Sequence, residues 1–268
     1  MPAEPLPDHS AVLERERAYH EQLYSGKAQQ RFSQAAVRDF REHLCGHILR
    51  ATGLGRGARV LSVGCGIGDT EVVMAPLVAS VTGIDLSPSG VREARAAAAK
   101  AGTANAVFLE GTLESLDLPL HSFDLVIAIF LLHHLPDAAL GRFPQQAARL
   151  LVPDGWFYSL DPSRLRLSGA VGSVVIPWIM KQHQSPDERE LGVADVASLF
   201  DSQGFDCWAG YYDFVSTPLA GLFPAWRAGY HAARRLDNFL TRLPLLRRLS
   251  SNFEIVAKPR HQNVQNAS

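Results

Sequence analysis

Two groups of residues in this sequence have the types and spacing to do chemistry. The first is Gly64-Cys65-Gly66-Ile67-Gly68, set between a β-rich run, Arg59-Val60-Leu61-Ser62-Val63, and a helical segment. Glycines at such a turn admit positive φ and leave no Cβ between a ligand and the backbone. Their spacing separates two kinds of ligand. A dinucleotide fingerprint needs glycines at the first, third and sixth positions, and counting from Gly64 the sixth is Asp69. A carboxylate there opposes a diphosphate that would otherwise use the positive end of the helix, so the loop suits a cofactor without phosphates. Asp85 ends a second β-rich run, 17 residues after Gly68, where a carboxylate can accept hydrogen bonds from ribose hydroxyls. Its plainer reading is a helix cap before Ser87-Pro88. Glu110-Gly111-Thr112-Leu113-Glu114 follows the third run and is either a reader of an adenine edge or an ordinary surface loop.

The second group is His133-His134, after a fourth run, with Asp161 after a fifth. Adjacent parallel strands bring such ends together, making an Asp-oriented imidazole base available near pH 7. His133 is the favoured base over His134; the plainer reading has one histidine packing and Asp161 capping a turn with Ser163. Tyr19, His20 and Tyr24 add polar aromatics to the first helix. His43 and His47 are four apart, a spacing that can bind metal on a helix. Gly46 weakens that helix and no Glu follows His43, so no metal is expected. Cys65 reads as small filling of the glycine loop.

These residues need elements to hold them. Helical stretches are expected around residues 14–24 and 31–54, after an acidic, proline-rich start. From residue 59 strand and helix alternate: strands at 59–63, 81–85, 106–109, 123–130 and 156–160, with helices through Leu77, over 88–101 and over 135–151. The continuously apolar fourth strand fits burial on both faces. This alternation makes an α/β fold, an open parallel sheet with helices on both faces. A helix over 193–203, strands at 205–214 and 252–257, and a short helix beginning near Ser185-Pro186-Asp187-Glu188 complete the chain. Domains divide as an N-terminal helical cap, 1–54, and a main domain, 55–268, with a lid or insertion at 216–251.

Val60-Leu61-Ser62-Val63-Gly64-Cys65-Gly66-Ile67-Gly68, Gly83-Ile84-Asp85-Leu86-Ser87, Ser122-Phe123-Asp124-Leu125-Val126, Leu132-His133-His134-Leu135-Pro136-Asp137 and Leu151-Val152-Pro153-Asp154-Gly155 occur in one order over about residues 55–163. Together they resemble the class I S-adenosylmethionine-dependent methyltransferases. The resemblance implies a Rossmann-like seven-stranded sheet, mostly parallel with an antiparallel last strand. It implies S-adenosyl-L-methionine as cofactor, leaving as S-adenosyl-L-homocysteine. Gly64, Gly66 and Gly68 would lie along the methionine and ribose, Asp85 on the ribose hydroxyls, Leu86, Thr112 and Leu113 about the adenine, and Ile129 beneath the sulfonium. Ser62 and Thr112 stand where the family usually has acids. The His-His run with Asp161 is similar to sugar O-methyltransferases of natural-product pathways, and the first helix would cover the cofactor.

The expected activity is O-methylation of a small specialised metabolite or glycolipid-type hydroxyl. N- or C-methylation is the near alternative; an NAD-dependent oxidoreductase and a non-catalytic, membrane-docking binder are the distant ones. The 26 basic against 27 acidic residues argue against a nucleic-acid partner. Cys45, Cys65 and Cys207 are too few and too scattered for a disulfide framework, and with no leader or membrane span in view a cytoplasmic setting is expected. Residues 216–251 carry six arginines and one acid. Arg227, His231, Arg234, Arg235, Asn238 and Arg242 recur at helical spacing, with Trp226 and Tyr230 on another stripe. The segment is read as a substrate lid whose apolar face packs on its own domain and whose arginines are solvated, or as a peripheral membrane contact, and its aromatics suit an acceptor with an apolar or lipid-linked part.

Overall fold

A computed structural model describes residues 9–24, 33–166 and 188–260. The acidic start at residues 1–8, residues 31–32 and most of the helix expected at 185–188 lie outside those residues. Seven strands form one sheet: β1 (Arg59–Val63), β2 (Ser80–Asp85), β3 (Ala106–Glu110), β4 (Phe123–Ile129), β5 (Leu151–Pro162), β6 (Phe205–Asp213) and β7 (Asn252–Pro259). Their order is β3-β2-β1-β4-β5-β7-β6. The first five run parallel, and β7 is antiparallel to both β5 and β6. The chain leaves β1 toward β2 on one side and returns as β4 on the other. That switch opens a crevice outside the carboxyl ends of β1 and β4.

Helices α1 (His9–Tyr24), α2 (Ala35–Thr52), α3 (Asp69–Met74), α4 (Pro88–Ala101), α5 (Asp137–Leu150), α6 (Val193–Ser202), α7 (Ser216–Leu222) and α8 (Arg227–Leu240) surround the sheet. Alternation along β4 sorts two cores. Val126 and Ala128 join Phe143 and Ala147 of α5 and Phe200 of α6, while Leu125 and Ile127 join Phe40, Leu44 and Ile48 of α2. Phe157 of β5 stacks on Phe200 with ring centroids 4.4 Å apart. Because Ala36, Phe40, Leu44 and Ile48 repeat every four residues, α2 buries an apolar stripe against the sheet. It is a core layer, not part of a separate N-terminal cap.

The fifth strand is longer than expected. Val152-Pro153-Asp154-Gly155, read from sequence as a turn, is a bulge within β5: Phe123 pairs with Leu151 but Leu125 with Trp156. Asp154 takes φ 70° there, a left-handed conformation that Asp tolerates. Helices α7 and α8 pack on α2, and α8 also on β6. Buried Asp237 fastens them, accepting from the backbone N–H of Ser216 at 2.8 Å.

Candidate active site

The turn after β1 is braced from beneath. Backbone N–H groups of Gly64 and Cys65 both donate to the Ile84 carbonyl, at 2.8 and 3.0 Å. Gly66 N–H donates to Asp85 Oδ2 and Ser87 N–H to Asp85 Oδ1, each at 2.8 Å. Burial pushes the Asp85 carboxyl up while these two donors pull it down. Gly66 has φ 52°, and a Cβ there would stand 2.7 Å from Tyr24 Oη. The glycine is therefore needed both for its backbone and for the helix lying over it.

Around this turn opens a cavity of about 290 Å³, lined in part by Gly64, Gly66, Asp85, Leu86 and Ile129. Thr112 and Leu113 also line it. The Thr112 hydroxyl is engaged locally, accepting from the N–H of Glu114 and of Ser115 at 3.2 and 3.0 Å. Gly68 and Ser62 are not among the lining residues. Gly68 packs against α4 and β3, where a Cβ would meet Ala94 at 2.8 Å, so it fixes the loop without facing a ligand. Ser62 sits behind the wall and donates to Glu71 Oε1 at 2.5 Å.

Helix α1 crosses the mouth. Leu13, Glu16, His20 and Tyr24 all line the cavity, a stripe at steps of three and four. Tyr19 falls off that stripe and does not line it. The helix is tied down by Glu21, which accepts from Ser87 Oγ at 2.6 Å and from Ser89 N–H at 3.1 Å. Arg41 reaches in from α2. Its Nε donates to Asp69 Oδ2 at 2.7 Å, and its Nη1 is buried without a hydrogen-bond partner. Phe130, just past β4, lines the same space with φ 55°, an uncommon conformation for a bulky residue beside a site.

The two histidines part company. His133 and Asp161 are both buried, with Nδ1 2.9 Å from Asp161 Oδ1. Burial, opposed by Asp161, lowers the His133 pKa, and neither residue lines the cavity. The expected pairing is thus present but walled off. His134, four-fifths or more buried yet facing the cavity, has Nδ1 3.1 Å from Glu16 Oε2. Its ring lies 4.0 Å from that of His133 and 5.0 Å from that of His20. Burial lowers the His20 pKa, with His134 adding to the effect.

Ligand atoms of Glu16, His20 and His134 lie within 4.8 Å of one another, a trio with the donor types for a divalent cation. His43 and His47 do not converge. His43 Nδ1 lies 2.8 Å from the Asp39 carbonyl and His47 Nε2 2.6 Å from Glu254 Oε2. Nor does the insertion reach the cavity: among the described residues none from 216–251 lines it. Tyr230 is wholly buried beside His43, and Trp226 is exposed. Tyr230 packs α8 on α2, the apolar packing expected of the insertion, and neither Tyr230 nor Trp226 lines the cavity.

Residues 60–155 match the family model described as a methyltransferase domain. Over 105 residues the chain is 41% identical to a protein of Paracidovorax citrulli named ubiquinone biosynthesis O-methyltransferase, covering 38% of this chain and 43% of that one. The chain spans about two fifths of the length of the first curated relatives it matches. With the protein of the same name from Azorhizobium caulinodans the likeness runs further, at 31% identity over 210 residues, 74% of this chain and 82% of the other. The chain belongs to the S-adenosylmethionine-dependent methyltransferases. Solved structures show the same methyltransferase fold. YcgJ of Bacillus subtilis gives a TM-score of 0.55 at 22% identity, over 82% of this chain and 99% of that one. Phosphoethanolamine N-methyltransferase 1 of Haemonchus contortus, solved with phosphoethanolamine and S-adenosylhomocysteine, gives 0.63 at 16%, over 97% and 52%.

Membership in this methyltransferase family sets aside the NAD-dependent alternative. Sequence reasoning missed Leu13, Glu16, Arg41 and Glu71. The signals were present: Glu16 is one turn before His20, and Arg41 interrupts the apolar stripe of α2 between Val37 and Cys45.

Proposed function

We propose that this methyltransferase transfers a methyl group from S-adenosylmethionine to a hydroxyl oxygen of a small acceptor that is apolar or lipid-linked. The cofactor fits the residues present: Asp85 and the Gly64–Gly66 backbone for ribose, Leu86, Thr112 and Leu113 about the base, and the buried Arg41 Nη1 for a carboxylate. When bound it supplies a methyl group on a positively charged sulfur. The protein's part is to align donor and acceptor, exclude water and take up the acceptor's proton.

The observation that carries the oxygen acceptor is the His134–Glu16 pair at the cavity wall. The Glu16 carboxylate, with Oε2 3.1 Å from His134 Nδ1, stabilises the imidazolium that forms as His134 takes up the acceptor's proton. His134 rather than His133 is then the base, Glu16 orients it, and the buried His133–Asp161 pair supports the turn that presents it. Relatives bearing the name ubiquinone biosynthesis O-methyltransferase support an acceptor with a ring hydroxyl and an apolar tail. A specialised metabolite or a glycolipid-type hydroxyl satisfies the same chemistry. Transfer of a labelled methyl group, read by mass across hydroxylated aromatic, sugar and lipid-linked acceptors, tests this. Label appearing on nitrogen or carbon in preference to oxygen overturns it, and cofactor binding without transfer to any acceptor favours a binder.

Contact with a bilayer surface belongs to the same reading. Among the described residues no helix is long and apolar enough to cross a membrane. Yet Phe223, Trp226, Leu236, Phe239 and Leu245 are exposed in the α7–α8 connection, along α8 and after it, in the same segment as exposed Arg235, Arg242, Arg247 and Arg248. The one acid of the segment, Asp237, is buried. Apolar side chains with unopposed arginines suit anionic headgroups. Co-sedimentation with phosphatidylglycerol vesicles but not with phosphatidylcholine vesicles is the expected result.

A further inference from the structure

Glu71 lines this cavity, and the proposed proton transfer does not use it. It lies on α3, one turn beyond the glycine loop, and is essentially without solvent exposure. A carboxylate in such a place is costly unless it is paired. Its Oε1 accepts the Ser62 hydroxyl, but Oε2 is buried with no hydrogen-bond partner. The same residue lines the cavity. Arg41, which also lines it, repeats the pattern with the opposite sign, one guanidinium nitrogen bonded to Asp69 and Nη1 left over.

One wall therefore holds an incompletely bonded carboxylate and an incompletely bonded guanidinium, while the backbone and Asp85 beside it present a nucleoside-type surface. A ligand end that completes both must carry a cation and an anion a few bonds apart, as the ammonium and carboxylate of an amino acid do. We infer that Glu71 is the residue that binds the α-ammonium of the cofactor's amino-acid end, with Ser62 holding its other oxygen in place. This rests on the S-adenosylmethionine reading of the cavity and adds to it a selectivity device. A nucleoside thioether lacking the amino group leaves Glu71 buried and unmatched, so the wall discriminates against such breakdown products.

A second consequence concerns protons. Burial pushes the Glu71 carboxyl up to about 7, against the pull of Ser62 and Arg41. An ammonium arriving beside it favours the ionised form, so binding near pH 7 releases a fraction of a proton to solvent.

Calorimetric titration with S-adenosylhomocysteine, its desamino analogue and 5′-methylthioadenosine tests this without turnover. Glu71→Gln keeps size and the Ser62 bond but removes the charge. It should weaken S-adenosylhomocysteine by roughly tenfold or more, the loss of one charge-assisted hydrogen bond, and leave 5′-methylthioadenosine within about twofold. In the unaltered protein, titrations in buffers of different ionisation enthalpy should show proton release with S-adenosylhomocysteine and none with the desamino analogue. Equal weakening of both ligands by Glu71→Gln, weakening of neither, or equal proton release with and without the amino group overturns the inference. Should the variant not fold, the wild-type pair of ligands decides alone. No binding of S-adenosylhomocysteine by the unaltered protein overturns the cofactor reading itself.

Discussion

The two ends of the cavity are built differently. At the end proposed for the nucleoside the wall is the backbone of one short turn, its N–H groups braced by the Ile84 carbonyl and by Asp85 from the neighbouring strand. At the end proposed for the acceptor the working groups are side chains from two distant elements, Glu16 on α1 and His134 after β4. Backbone recognition needs only a local segment and the strand pair that carries it. Proton chemistry needs titratable groups that meet only once the tertiary structure has formed. The first end should therefore fail through binding and the second through turnover.

The sharpest break is at His134. His134→Ala should lower turnover by about 10²–10⁴-fold while S-adenosylhomocysteine affinity, measured by calorimetry, stays near the parent value. A binding loss as large as the turnover loss would merge the two ends into one. His133→Ala should act instead on the fold, because it opens a cavity and leaves buried Asp161 with only the residue-133 backbone N–H in place of the imidazole. A loss of about 3–5 kcal/mol in urea unfolding is expected, and full stability with lost turnover would return the base to His133.

Glu71 gives a pH test at the boundary between the ends. Its folded-state pKa is raised to about 7 from an ordinary 4.5, so the fold accommodates the neutral form and is strained by the charge. The ligand-free protein carries no such penalty below pH 4.5. It loses stability progressively as pH climbs through 7, by an amount on the order of 3 kcal/mol. Glu71→Gln should flatten that decline between pH 5 and 8 in thermal melts; an unchanged slope would mean the carboxyl is solvated. The smallest effect on the fold is expected at Phe239, exposed on α8. Phe239→Ser should shift stability by no more than about 0.5 kcal/mol and still abolish vesicle sedimentation if α8 is the membrane-facing surface.

The contrast explains what could be read from residue order. Strand alternation, Gly64-Cys65-Gly66 and Asp85 were legible because the β1–β2 unit is local and its turn chemistry has one solution. His133 and Asp161 were rightly placed together, since adjacent parallel strands end side by side. Which histidine faces the ligand was not legible, because the short 3₁₀ turn Leu132–His134 decides it, and a one-residue rotation there exchanges wall for core. The insertion was legible only in part, for a related reason. The apolar stripe at Tyr230 and Ala233 fits a lid as well as a packed helix, and only the apolar stripe of α2 beneath it settles which.

Helix α1 contributes Glu16, His20 and Tyr24 to the cavity yet adds little to the sheet's two cores, of which α2, α5 and α6 are the main helical layers. Folding and competence are thus separable at the amino end. A version trimmed to begin near residue 33 would keep its sheet and lose Glu16 and His20 from the cavity wall, and on the mechanism proposed above a bulky fusion placed just ahead of His9 risks the same silence in an otherwise sound preparation.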